Sequence, residues 1–126
     1  MEMHDLMCCV RLVENRATPA DLRDALLPKL TELVDKAVER DPANWPNYTL
    51  PPLGIVSSPA SPFAHLFEHV LPANLDFMLS WQSEDGGWHP NWNWGYLPEV
   101  WAVAERDWTS VLTLTNLKKL RAFGAA

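Results

Sequence analysis

Apolar positions in the first third of the chain fall at helical spacing. Met3, Leu6, Met7, Val10 and Val13 recur every three or four residues, and the stripe starts without a Ser, Thr or Asp cap ahead of it. Thr18-Pro19-Ala20-Asp21 then reads as an N-cap, a first-turn proline and an acidic residue three positions after the cap. The stripe Leu22, Leu26, Leu30, Leu33, Val34, Ala37 follows and predicts a helix to about Arg40, with Pro28 expected to kink it. Between Asp41 and Pro62 the period disappears. Six prolines in twenty-two residues predict an extended connection, pinned by Trp45, Tyr48, Leu50, Leu53, Ile55 and Val56. Ser61-Pro62 predicts a short helix over 63–70, and Pro72 another through Leu75, Met78, Leu79 and Gln82. "LPEVWAVAERDW" and "TLTNLKKLRAF" each have helical spacing, the second through Leu114, Leu117 and Leu120, with Gly124 as a stop. No strand-like alternation of useful length occurs. The expectation is a single all-α domain over 1–126, of about three helical hairpins, with the proline-rich connection at 41–62.

Composition narrows the partners more than the chemistry. The chain has 126 residues, 48% hydrophobic and 21% charged, which suits one globular domain. Its net charge of -6 gives no cationic face for phosphate or anionic lipid, so nucleic acid is not expected as a partner. Glu2, His4 and Asp5 stand where a signal peptide would be basic and then apolar, and no apolar run approaches the roughly 20 residues of a membrane span. A cytoplasmic location is expected. Cys8 and Cys9, adjacent and therefore ill-suited to a direct disulfide, read as small core residues.

The segment "SWQSEDGGWHPNWNWGY", 80–96, holds four of the chain's seven tryptophans. Within it and just upstream, Phe77, Gln82, Gly86 and Trp88 follow the order of the Q-x-x-x-G-x-W repeat, with Ala73 at the repeat's small position. This resembles the repeat of the terpenoid cyclase and protein prenyltransferase superfamily, α-α toroids built of helical hairpins. The resemblance covers 73–88, with Met78 and Pro72 departing from the usual aliphatic and basic positions, and the chain as a whole looks like the C-terminal half of such a cyclase-like protein. It implies a structural role, in which Gln82 offers its amide to free backbone groups at a neighbouring helix end and Trp88 shields it. Buried and unpaired, such groups cost about 1–3 kcal/mol each. Gly86 and Gly87 allow the turn. A closed ring needs more hairpins than this length provides, so the resemblance implies a partial toroid that either lacks an N-terminal half or self-associates through the apolar stripe of its first helix.

Catalytic signatures are sparse. The D-x-D-D and D-D-x-x-D clusters that drive terpene ionisation do not occur, and Glu84 and Asp85 read as loop residues. "HLFEH" fits H-x-x-E-H, in which His65 and His69 one helical turn apart bind zinc and Glu68 activates water. The structural alternative has Phe63, Leu66, Phe67 and Val70 facing the core and the two histidines solvated. No further zinc set can be aligned from Asp5, Cys8 and Cys9, no cofactor is expected, and His89 has no evident base or nucleophile nearby in sequence. Trp92, Trp94, Tyr96 and Trp101 are the candidate ligand-binding residues, suited to an apolar or isoprenoid small molecule. The expectation is a cyclase-like protein without an identifiable catalytic motif, the alternative being an isoprenoid cyclase or transferase.

Overall fold

Leu6, Val10 and Val13 form the buried face of the first helix, α1 (Met3–Glu14), and meet Leu30 and Val34 of α2 (Ala20–Ala37). In the computed structural model, which describes residues 1–125, these helices pack as a hairpin, followed by α3 (Leu71–Ser80) and α4 (Pro98–Ala122). The fold is all-α: among the described residues there is no strand, and no helix is long and apolar enough to cross a membrane.

The hairpin turn is closed differently from the sequence expectation. Thr18 does not cap α2, which begins at Ala20 without a side-chain cap; its hydroxyl donates to Leu12 O at 2.6 Å. Arg23 adds bonds to Val13 O at 2.9 Å and Asn15 O at 3.0 Å, so the turn satisfies the free carbonyls at the end of α1. The start of α1 is capped by Glu2, whose carboxylate accepts from His4 N at 2.9 Å. The stripe on α1 is therefore spent inside the core and cannot serve as the association edge expected of it. Cys8 is exposed and Cys9 half-buried, so they are not both core residues. Pro28 sits within α2 on an exposed position, where water can satisfy the carbonyl freed by its missing N–H.

The proline-rich connection is held by what it buries. Trp45, Leu50, Pro52, Leu53, Ile55 and Val56 are all buried, two single 3-10 turns (Pro42–Asn44 and Pro52–Gly54) supply its only regular backbone, and Tyr48 stays exposed. Glu39 N donates to Leu50 O at 2.8 Å, and the Trp45 indole donates to Glu39 O at 2.8 Å, tying both arms of the connection to the end of α2. On the other side, buried Asn74 of α3 accepts from Leu53 N at 2.8 Å.

Two helix assignments change. The expected helix over 63–70 is only a 3-10 turn, Ala64–Leu66: between Pro62 and Pro72 the backbone closes by bonds three residues apart, Leu66 N to Phe63 O and Phe67 N to Ala64 O, both at 3.1 Å, while Phe63 and Phe67 are fully enclosed. The two expected C-terminal helices are one 25-residue helix, so four helices stand where about three hairpins were expected. Nothing between them breaks the chain: Thr109, Ser110 and Thr113 turn their hydroxyls back onto the carbonyls of Glu105, Arg106 and Thr109. Helix α4 ends at Gly124, φ +72°, in a Schellman arrangement with Ala125 N on Leu120 O at 2.8 Å.

Two outcomes follow from this packing. Asn74→Ala leaves Leu53 N–H without a partner and is expected to lower unfolding free energy by about 1–3 kcal/mol in denaturant titration. Lys119, on the core side of α4, has its ammonium pushed down to about 8, first by burial and then by the charge of Arg11. Its folded value is below the unfolded one, so the unfolded chain holds more protons between those values and stability rises with pH there. From pH 8 to 10.5 the wild type is expected to gain on the order of 1–3 kcal/mol relative to Lys119→Met, compared in parallel unfolding curves.

Candidate functional site

The 81–97 segment carries the sequence's most distinctive residues, and its first half is a backbone turn closed on itself. Ser83 N donates to Gly87 O and Gly86 N to Ser83 O, both at 2.8 Å, and Gly86 takes φ +87°, a left-handed conformation that glycine adopts without penalty. Gly87 sits close to its neighbours: a Cβ there would lie 3.2 Å from Thr113 Oγ1 and 3.3 Å from Asp85 Oδ1, so both side chains would have to give by a few tenths of an ångström. Asp85 receives Gly87 N at 2.9 Å, and this bond, with help from His89, holds its carboxyl below the usual range against a smaller desolvation effect. Gln82 spans the same turn, its amide donating to Gly86 O at 2.9 Å. The expectation that Gln82 reaches a neighbouring helix end is thereby corrected: it is exposed, and it closes its own loop.

Trp88 joins the elements. Its side chain is 5% exposed, its indole donates to Met78 O in the last turn of α3 at 2.8 Å, and its backbone N–H donates to Thr113 Oγ1 of α4 at 3.1 Å. One residue thus adds a second bond to a C-terminal carbonyl of one helix, beside that from Trp81 N, and is gripped by the next. Phe77 extends the tie to the connection, lying edge-on to Trp45 with centroids 5.6 Å apart and beside Trp81 at 5.5 Å. His89, without an evident partner in the sequence, acquires two. Its Nε2 lies 3.1 Å from Asp85 Oδ2 and its Nδ1 3.3 Å from Thr109 Oγ1. The Thr109 hydroxyl also donates to Glu105 O at 2.8 Å, so the trio links the loop to the backbone of α4.

The four candidate ligand residues divide into two groups. Trp94 stacks on Tyr96 with centroids 6.0 Å apart and leans on Trp101 at 5.2 Å. Trp101 is buried, whereas Trp94 and Tyr96 are 38% and 64% exposed. Trp92 instead belongs to a second row, between Tyr48 at 6.1 Å and Trp108 at 5.6 Å, with His4 bonded to the Tyr48 hydroxyl at 3.0 Å. Tyr48 and His4 join from far along the chain, and no local signal could have found them. Trp108 lies seven residues after Trp101, two helical turns, and was legible from that spacing. Gly95 at φ +77° and Leu97 at φ +49° aim this segment into α4; Leu97, a bulky residue before a proline, holds that backbone at a cost of about 1–3 kcal/mol. The exposed rings do not close over a cavity. A depression of about 370 Å³ is lined by Met3, Lys36, Ala37, Val38, Glu39, Thr49 and Leu50, away from them, and a smaller one of about 160 Å³ lies over Asp107, Trp108 and Val111.

His65, Glu68 and His69 are exposed, and the segment is not an α-helix, so the spacing that would set both histidines one turn apart does not apply. Among the described residues, no three His, Cys, Asp or Glu side chains gather as a metal site. Compared with family models, curated proteins and solved structures, the chain matches none.

The division of labour between Gln82 and Trp88 can be measured. Trp88→Phe and Thr113→Val are each expected to cost about 1–3 kcal/mol in chemical unfolding, the first because it removes a buried hydrogen bond and leaves space where the larger indole packed, the second because it strands the Trp88 N–H. Gln82→Ala is expected to cost under about 1 kcal/mol, since the carbonyl it leaves is open to water.

Proposed function

We propose that this chain is a helical-hairpin unit of the α-α toroid type, in which the glutamine-to-tryptophan turn is structural and the aromatic surface beside it binds a neutral, elongated apolar molecule of the isoprenoid class without transforming it. The observation that carries the reading is the Trp94–Tyr96–Trp101 group. Two rings stand in solvent, yet they are ordered in advance by stacking on each other and on a buried third. Exposed aromatic faces arranged in this way offer contact area at small entropic cost, which suits the methyl-studded edge of a polyprenyl chain.

Charge selects within that class. Glu99, Glu105 and Asp107 lie along the same half of α4 as Trp101 and Trp108, and only Arg106 opposes them. A diphosphate head group would meet net negative charge, whereas an alcohol or hydrocarbon would not. The toroid reading rests on the repeat at Phe77, Gln82, Gly86 and Trp88 and on Trp88 tying the end of α3 to the middle of α4.

Farnesol, titrated against intrinsic tryptophan fluorescence, is expected to bind at least tenfold more tightly than farnesyl diphosphate, and to be recovered unchanged by mass spectrometry. Trp94→Ala with Tyr96→Ala is expected to weaken binding at least tenfold while far-ultraviolet dichroism stays as in the wild type. Equal affinity in the double variant would remove the aromatic group from the reading, and a converted product would reassign the protein as an enzyme.

A further inference from the structure

Helix α4 buries only one side. Trp101 and Leu120 are buried, and Leu112, Thr109, Thr113, Asn116 and Phe123 are half-buried around the same side. The opposite side carries Val100 and Val103, both 51% exposed, then Val111, Leu114 and Leu117 at 52%, 57% and 43%. At 3.6 residues per turn, Val100, Val103, Asp107, Ser110, Leu114 and Leu117 fall on one seam in alternating steps of three and four, the spacing by which two helices interlock. This face is open to solvent along nearly the whole helix, which is about 37 Å long, with one apolar pair, Val100 and Val103, and another, Leu114 and Leu117, on either side of Asp107 and Ser110. Isolated exposed apolar residues need no explanation, but two pairs in register at interlocking spacing do.

We propose that this seam of α4 pairs antiparallel with α4 of a second copy of the chain. The seam is complementary to itself in that direction. With Val100 opposite Leu117 of the second copy, Val103 falls opposite Leu114 and Asp107 opposite Ser110, so apolar layers meet apolar layers and the polar residues share the central layer, where water can reach both. The two-fold axis then lies near 108–109, and each contact occurs twice, as an isologous interface demands. Charge agrees with the direction. Beside the seam the first half of α4 carries Glu99 and Asp107, and the second half Lys118 and Arg121, with Glu99 falling opposite Lys118 of the second copy in this register. Antiparallel pairing sets the acidic half of each helix beside the basic half of the other and also opposes the two helix dipoles; parallel pairing would set like on like. The seam is distinct from the ligand surface, because Trp101 and Trp108 project from the flank of α4 and not along the seam. Pairing therefore leaves Trp94 and Tyr96 free, and the two readings fail independently.

The test uses the full chain with Cys8→Ser and Cys9→Ser, which removes the native thiols. Sedimentation at tens of micromolar is expected to give a dimer that weakens as salt is raised. Leu114→Asp with Leu117→Asp, at positions already exposed, is expected to raise the dimer dissociation constant at least tenfold with helix content retained. A short thiol cross-linker is expected to join Val103→Cys chains to Leu114→Cys chains when the two are mixed. It should not join Val103→Cys chains to themselves, since those positions would stand about 16 Å apart along the axis. A monomer in sedimentation, a dimer untouched by the double aspartate, or self-linking of Val103→Cys in place of the mixed product would each overturn the proposal.

Discussion

The fold turns on Trp88. Helix α4 has only two buried residues, Trp101 near its start and Leu120 near its end, and it makes few direct contacts with α3. Between those two anchors it is fixed by a residue outside both helices, whose indole reaches back to Met78 O while its own backbone is held by Thr113. The glycines before it serve that geometry: Gly86 supplies the left-handed turn, and Gly87 brings the loop close against Thr113 of α4. The aromatic surface then follows, because Trp92, Trp94 and Tyr96 hang from the same loop and are aimed by where Trp88 is pinned.

Much of this was legible from residue spacing. The stripes of α1 and α2 marked their buried faces, because helical period reports burial directly, and Gly124 marked the stop of α4. The apolar residues of 41–62 reported correctly that a segment without period could still be packed, with Tyr48 as the exception. The errors share a cause, which is that side chains choose partners in space. Thr18 looked like a cap for α2 and serves the end of α1; Gln82 looked like a bridge and closes its own turn. The segment 63–70 had a helix's composition, but between its two prolines the backbone closes three residues apart, as a 3-10 turn.

The aromatic site divides along similar lines. Trp94, Tyr96 and Trp101 are near enough in sequence to be expected together, and they are together. Trp92 was expected with them but joins Tyr48 and Trp108, since the turn at Asn93 to Gly95 sends its neighbours the other way and Asn91 ties the loop to Asn47 O at 3.1 Å. The histidines illustrate the same limit from the chemical side. The pair with metal-site spacing, His65 and His69, is exposed off any α-helix, whereas the solitary His89 has two polar neighbours.

Between Val100 and Ala122 the long helix contains neither proline nor glycine, and its internal hydroxyls are folded onto its own carbonyls. Such a rod resists bending. Its near end is gripped by the tryptophan loop, and its far end carries Leu120 into the centre of the protein beside α1. Any tilt that a guest imposes on the loop must then be felt as a lever arm's swing at the opposite pole, where the first helix would have to give way or push back.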